Sequence, residues 1–185
     1  MKPWAQRAIT ALTMLLVTSS LSLLGATQDS VTILADAELN RVVPSGFYFQ
    51  GLSAPTQMRN AAAVRFGSNR YVIAGLVDTA GYAADVRARY EGFLITDSPV
   101  KINDSELATG AYGFGFTNDG KLNILDLAGN QILSVSTTKD SALKRPRPLM
   151  MTKDDHTVRF YHGRDFAMIT PKWDRKIEEL INLVD

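Results

Sequence analysis

The fold is decided by residues 111–138, which read AYGFGFTNDGKLNILDLAGNQILSVSTT. Three apolar runs are separated by two short groups rich in Gly, Asn and Asp, Asn118–Gly120 and Ala128–Asn130. Such runs are typical of strands, and such groups are typical of tight hairpin turns. We therefore expect a three-stranded antiparallel meander. We expect a two-residue turn in the second group, which would place Leu127 opposite Ile132 and Ile124 opposite Val135.

Strand and turn patterns continue on both sides of this meander. Eleven of the thirteen glycines lie between Gly46 and Gly129, a density that interrupts helices and suits turns. The other candidate strands are 46–52, 61–66, 71–78, 86–96, 100–103, 157–162 and 166–170. Short strands in this number bury their apolar faces in two packed sheets or in a closed barrel. We expect a mainly β domain, an antiparallel β-barrel or a two-sheet sandwich, of about eight to ten short strands.

A short helix is expected at each end of this β region. Residues 36–43 have an apolar face, with Asp36 as the cap and a proline after the last residue. Residues 171–184 begin with Pro171 and carry an apolar stripe that includes Trp173. We expect this C-terminal helix to pack on the sheet.

One connection between strands differs in composition from the rest of the chain. Residues 139–148 contain Lys144-Arg-Pro-Arg-Pro148, in which basic residues alternate with prolines. This composition favours an extended segment in solvent, and a loop that binds a polyanion is the alternative.

The amino terminus has the layout of a secretory signal peptide. Lys2 and Arg7 precede an apolar run over residues 8–24. Two small residues, Gly25 and Ala26, follow this run. A membrane-spanning helix needs about 20 predominantly apolar residues, and this run is shorter and contains several serines and threonines. We predict a cleaved signal peptide over 1–26 and a single β-rich domain over 27–185. The protein is then secreted or periplasmic, with no transmembrane segment after cleavage.

Charge and cysteine content exclude several classes of function. The chain has 20 Lys and Arg against 19 Asp and Glu, and loss of 1–26 would leave 18 against 19. General binding to nucleic acid needs a concentrated positive field, so we expect none. No cysteine is present, which excludes disulfides and thiolate metal sites. Gly46–Ser53 has the spacing of a phosphate-binding loop, but Leu52 stands where the lysine is required, so no nucleotide is expected.

Metal and acid–base sites are only weakly indicated. His156 and His162 lie near several aspartates, but on one strand they would be far apart, so we expect no metal and no cofactor. Asp78, Asp85 and Glu91 flank one strand–turn–strand unit and could act with a histidine in hydrolysis.

Two groups of residues are candidates for ligand binding. The alternation of a strand places Tyr112, Phe114 and Phe116 on one face and leaves the opposite face to glycines, where a backbone or helix could approach closely. The aromatic face is either ordinary core or the wall of an apolar pocket. The same alternation over 86–96 would place Arg87 and Arg89 side by side, either in solvent or clamping an anionic group.

Three functions are consistent with these patterns. The first is an exported, non-enzymatic domain that binds a small apolar or amphiphilic ligand. The second is an extracytoplasmic hydrolase that uses carboxylates with or without a histidine. The third is a structural or interaction module of the cell envelope. The sequence names no reaction, so catalysis and the oligomeric state stay open.

Overall fold

The computed structural model describes residues 30–67 and 69–172, which form two antiparallel sheets and two short helices. The helices are α1 (Asp36–Val42) and α2 (Ala84–Arg87). The strands are β1 (Val31–Ile33), β2 (Gly46–Phe49), β3 (Leu52–Phe66), β4 (Arg70–Val77), β5 (Gly92–Thr96), β6 (Val100–Ile102), β7 (Ser105–Leu107), β8 (Gly110–Thr117), β9 (Lys121–Leu125), β10 (Gln131–Ser136), β11 (Thr138–Lys139), β12 (Arg147–Asp154), β13 (Thr157–Gly163) and β14 (Asp165–Pro171). None of the helices in this part of the chain is long and apolar enough to cross a membrane.

The two sheets form a sandwich. The large sheet has the strand order β1-β3-β4-β5-β8-β9-β10, with β2 paired to β3. The small sheet has the order β12-β13-β14-β6-β7, with β11 paired to β14. The mainly β prediction is confirmed and the sandwich alternative is correct. The closed barrel is wrong, because the strands are divided between two separate hydrogen-bonded ladders.

The main core lies between the sheets. Alternate residues of the central strands point inward, among them Val64, Leu94 and Ile124 from the large sheet and Phe160 and Ile169 from the small one. All five are fully buried. This is the arrangement expected when one face of each strand is apolar.

A second apolar cluster covers the other face of the large sheet. The β2–β3 hairpin folds back over that face because β3 carries a register shift between Thr56 and Ala61, which bends the strand. Phe49 from this hairpin stacks on Tyr90, with ring centroids 3.9 Å apart. The large sheet is therefore buried on both faces near its centre.

The predicted strand over 86–96 is partly wrong. Residues 84–87 form α2, and only Gly92–Thr96 is a strand. The amide of Tyr90 donates to the carbonyl of Val86 at 2.9 Å, so these two buried side chains lie on one side of a helical turn. A spacing of four residues satisfies both the strand and the helix periods, which explains the error.

The meander β8-β9-β10 is confirmed, but its second turn is longer than predicted. Leu133, not Val135, pairs with Ile124. Asp126 closes the turn, because its carboxylate accepts hydrogen bonds from the backbone and side-chain amides of Asn130 at 2.8 and 2.9 Å. Leu127 consequently lies in the turn and not on a strand.

The ends of the domain also differ from expectation. In α1, Asp36 is the first helical residue and Ala35 is the cap position, with no side-chain capping bond. Pro171 is the last residue of β14 and pairs with Val100, so the C-terminal helix does not begin there. The remainder of the predicted helix and the predicted signal peptide lie outside the described residues.

Candidate functional site

The aromatic face of β8 is part of the core. Phe114 is fully buried, and its ring lies 5.3 Å from Phe160 of the small sheet. Phe116 contacts the same ring at 5.6 Å, and the hydroxyl of Tyr112 donates to the carbonyl of Ala108 at 2.9 Å. The contacts described for these aromatics are with the protein's own groups. Ligand binding by these three residues stays a prediction.

The glycine face of β8 receives other parts of the chain. A Cβ atom at Gly113 would overlap the ring of Phe49, and one at Gly115 would overlap the carbonyl oxygen of Arg89. The predicted close approach to this face is confirmed. The groups that approach are the β2–β3 hairpin and the backbone after α2.

The two arginines are not neighbours on a strand. Arg87 is the last residue of α2 and is exposed to solvent. Arg89 follows the helix, and its Nη1 donates to the carbonyl of Gly129 in the β9–β10 turn. The predicted side-by-side arrangement is wrong, because the segment is helical. Arg89 instead connects the segment after α2 to the β9–β10 turn through this hydrogen bond.

Only one of the three candidate carboxylates contacts a histidine. Glu91 Oε2 accepts the amide of Phe116 at 2.8 Å, and Glu91 Oε1 lies 3.6 Å from His162 Nε2. Asp78 accepts a hydrogen bond from the amide of Ala80 and so caps a turn. Asp85, the third candidate, lies in α2 and is exposed. A carboxylate beside an imidazole can orient the ring, as a general base requires.

The Glu91–His162 pair joins the two sheets at a half-buried position. The side chains are 32% and 35% exposed, respectively. The imidazole stacks on Phe116, with ring centroids 5.0 Å apart and an interplanar angle of 20°. His156 is in the β13 entry turn, 3.6 Å from Asp155 and exposed. Within 30–67 and 69–172, no group of three His, Asp or Glu is placed to hold a metal ion.

The structure reveals an exposed surface that the sequence pattern did not indicate. We call it the apolar end surface, and it consists of Tyr48, Leu52, Leu127 and Ile132. These side chains are between 40% and 59% exposed, and they are the large hydrophobic side chains that are exposed within the described part of the chain. Each lies in, or within two residues of, the β2–β3 turn or the β9–β10 turn.

These two turns are bonded to each other. The amide of Gln50 donates to the carbonyl of Leu127, and its side-chain Nε2 donates to the carbonyl of Ala128, both at 3.0 Å. Gly129 adopts a φ of 87° and lies so close to Gln50 that a Cβ atom there would overlap the amide side chain. Together with the bond from Arg89, these contacts fix the backbone beneath the apolar end surface.

An edge strand borders the apolar end surface. In the described sheet, β10 pairs with β9 on one side and has no strand on the other. Ile132 is the second residue of β10. Edge strands offer unpaired backbone groups to a partner chain.

Comparison with known proteins gives no relative. No protein-family model, no curated protein and no solved structure matches this chain.

Proposed function

We propose that this chain is a non-enzymatic binding domain that holds a protein partner through the apolar end surface. Four large apolar side chains remain exposed in the described structure, and all four flank one interlocked pair of turns. Single exposed hydrophobic residues are ordinary on a soluble protein, whereas several of them around one pair of bonded turns are typical of an interaction site. This concentration is the observation that carries the proposal.

The backbone beneath the surface supports the same function. Hydrogen bonds from Gln50 and Arg89 hold the turn that presents Leu127. A surface that is already ordered loses little conformational freedom when a partner binds, so more of the contact energy is available for affinity. Tyrosine and leucine side chains also provide large contact areas with few rotatable bonds.

The partner's chemistry follows from the same residues. The turn side chains are apolar and the neighbouring β10 edge offers backbone groups. A polypeptide segment with apolar side chains and a free backbone matches both features, because it can add to an edge strand while its side chains cover the exposed ones. A small apolar ligand between the sheets has less support, since Phe114 and Phe160 already contact each other there.

Site-specific photo-crosslinking in the cells that produce the protein tests this proposal. A photoreactive amino acid replaces Leu127 or Tyr48 in turn, and the control replaces the exposed Lys153 on β12. We expect one discrete protein adduct from both end-surface positions and none from the control. Adducts that form equally from all three positions, or from none of them, would contradict the proposal.

A hydrolytic role is the second candidate, and the Glu91–His162 contact favours it. The test is hydrolysis of ester, peptide and glycoside substrates by the unchanged protein and by the His162→Gln and His156→Gln variants. Activity that only His162→Gln abolishes would support hydrolysis at this pair. Activity that survives both substitutions would exclude histidine-based hydrolysis.

We also propose that the domain acts outside the cytoplasm. The support is the basic and apolar pattern of residues 1–26. Removal of this segment in the isolated protein, read by N-terminal sequencing, is the expected result.

A further inference from the structure

A basic loop connects β11 to β12 at the edge of the small sheet. The basic loop, Lys144–Pro148, is exposed along its whole length and carries three positive charges and no negative one. Lys144, Arg145 and Arg147 form no ion pair with any described residue. Their charge is therefore available to an external anion.

The segment that leads into the basic loop is held in place. Arg164 Nη1 donates to the backbone carbonyls of Asp140, Ser141 and Leu143. The carboxylate of Asp140 accepts the amides of Ala142 and Leu143 at 3.0 and 3.1 Å. Asp140, the acidic residue nearest to the loop in sequence, is thus used within the protein, since its second oxygen also accepts a hydrogen bond from the hydroxyl of the buried Tyr161 at 2.9 Å.

The other end of the basic loop is part of the sheet. Arg147 begins β12 and pairs with Gly163 of β13. Pro146 and Pro148 restrict the backbone between these anchors, because the proline ring fixes φ near −65°. The backbone that carries the three cations is consequently restrained, so ordering this backbone on a ligand costs little entropy.

We propose that the basic loop binds the phosphate headgroups of an anionic lipid bilayer. Arginine and lysine donors match phosphate oxygens, and a short exposed loop reaches several headgroups of a flat surface at once. Nucleic acid fits less well. Residues 139–148 contain no aromatic side chain on which a base could stack, and three cations neutralise few phosphates of a duplex.

Vesicle co-sedimentation tests the basic loop. The isolated protein is mixed with vesicles of phosphatidylcholine alone or with about 30% phosphatidylglycerol, at low and at physiological salt. The loop variant replaces Lys144, Arg145 and Arg147 with glutamine. Each cation near an anionic surface contributes about fivefold in affinity, so the variant should bind the anionic vesicles about 100-fold more weakly.

A matched control variant separates local from general charge. It replaces Arg59, Lys101 and Lys153 with glutamine, three exposed cations on β3, β6 and β12. We expect it to bind as the unchanged protein does, and we expect neither variant to change binding to neutral vesicles. Equal losses in both variants, no preference of the unchanged protein for anionic vesicles, or tighter binding to a single-stranded oligonucleotide than to anionic vesicles would each overturn the proposal.

Discussion

Tyr90 is the most deeply buried tyrosine in the apolar cluster on the outer face of the large sheet. Tyr90 is fully buried, stacked on Phe49 and in edge contact with Tyr82 at 5.3 Å. Burial raises the pKa of Tyr90 far above its ordinary value, with a further increase from the neighbouring Tyr82. The Tyr90 hydroxyl has no hydrogen-bond partner of normal geometry in the described structure, which is unfavourable for a buried polar group.

Replacing Tyr90 with phenylalanine should therefore leave the protein as stable as before or more stable. We expect Tyr90→Phe to raise the free energy of unfolding by up to about 1 kcal/mol at neutral pH, because it removes an unpaired buried hydroxyl and keeps the ring. The raised folded-state pKa also means that stability is lost as pH rises above about 10, where the unfolded tyrosine ionises first. The variant should lose less stability in that range.

Urea unfolding at neutral and alkaline pH measures both effects. Tyr48→Phe is the control, since Tyr48 is exposed and its hydroxyl contributes little to folding. A loss of more than about 1 kcal/mol in Tyr90→Phe at neutral pH would show that the hydroxyl has a partner in solution.

At the scale of the element, the spacing of hydrophobic residues predicted most strands but did not give the first and last residue of each one. The meander β8-β9-β10 was predicted from the sequence because its two turns are rich in Asn, Asp and Gly. Residues 84–90 were ambiguous, since Val86 and Tyr90 fit a strand and a helix equally. The structure decides for the helix, and the backbone that follows this helix approaches the glycine face of β8. Local pattern cannot reveal such a tertiary preference.

The same contact predicts the effect of a single methyl group in β8. Gly115→Ala should lower the free energy of unfolding by about 2–3 kcal/mol, because its Cβ would overlap the backbone carbonyl of Arg89, which cannot rotate away. Gly81→Ala is the control: there a Cβ meets only the end of the Leu52 side chain at 3.3 Å. Thermal and urea unfolding give the comparison. Equal stabilities of the two variants would show that the segment after α2 does not pack on β8.

At the scale of the whole molecule, the sequence predicted a mainly β fold but did not decide between a closed barrel and a two-sheet sandwich. Closure depends on which distant strands pair at the edges, and no local signal encodes that choice. The apolar end surface has the same origin. Leu127 and Tyr48 are far apart in sequence, and they belong to one surface only because Gln50 bonds the two turns. The sequence left Arg89 either in solvent or against an anionic group, and in the structure its Nη1 donates to the carbonyl of Gly129 in the turn that carries Leu127.

The central claim is that binding takes place on this end of the molecule and not between the sheets. Native mass spectrometry of the isolated protein and of Leu127→Ser tests it most directly. The unchanged protein should carry an added mass equal to that of a polypeptide. The fraction of protein that carries this mass should be at least about tenfold lower in the variant. An added mass of small-molecule size that persists in Leu127→Ser and disappears in Phe114→Ala would contradict the claim, because it would place the ligand inside the sandwich.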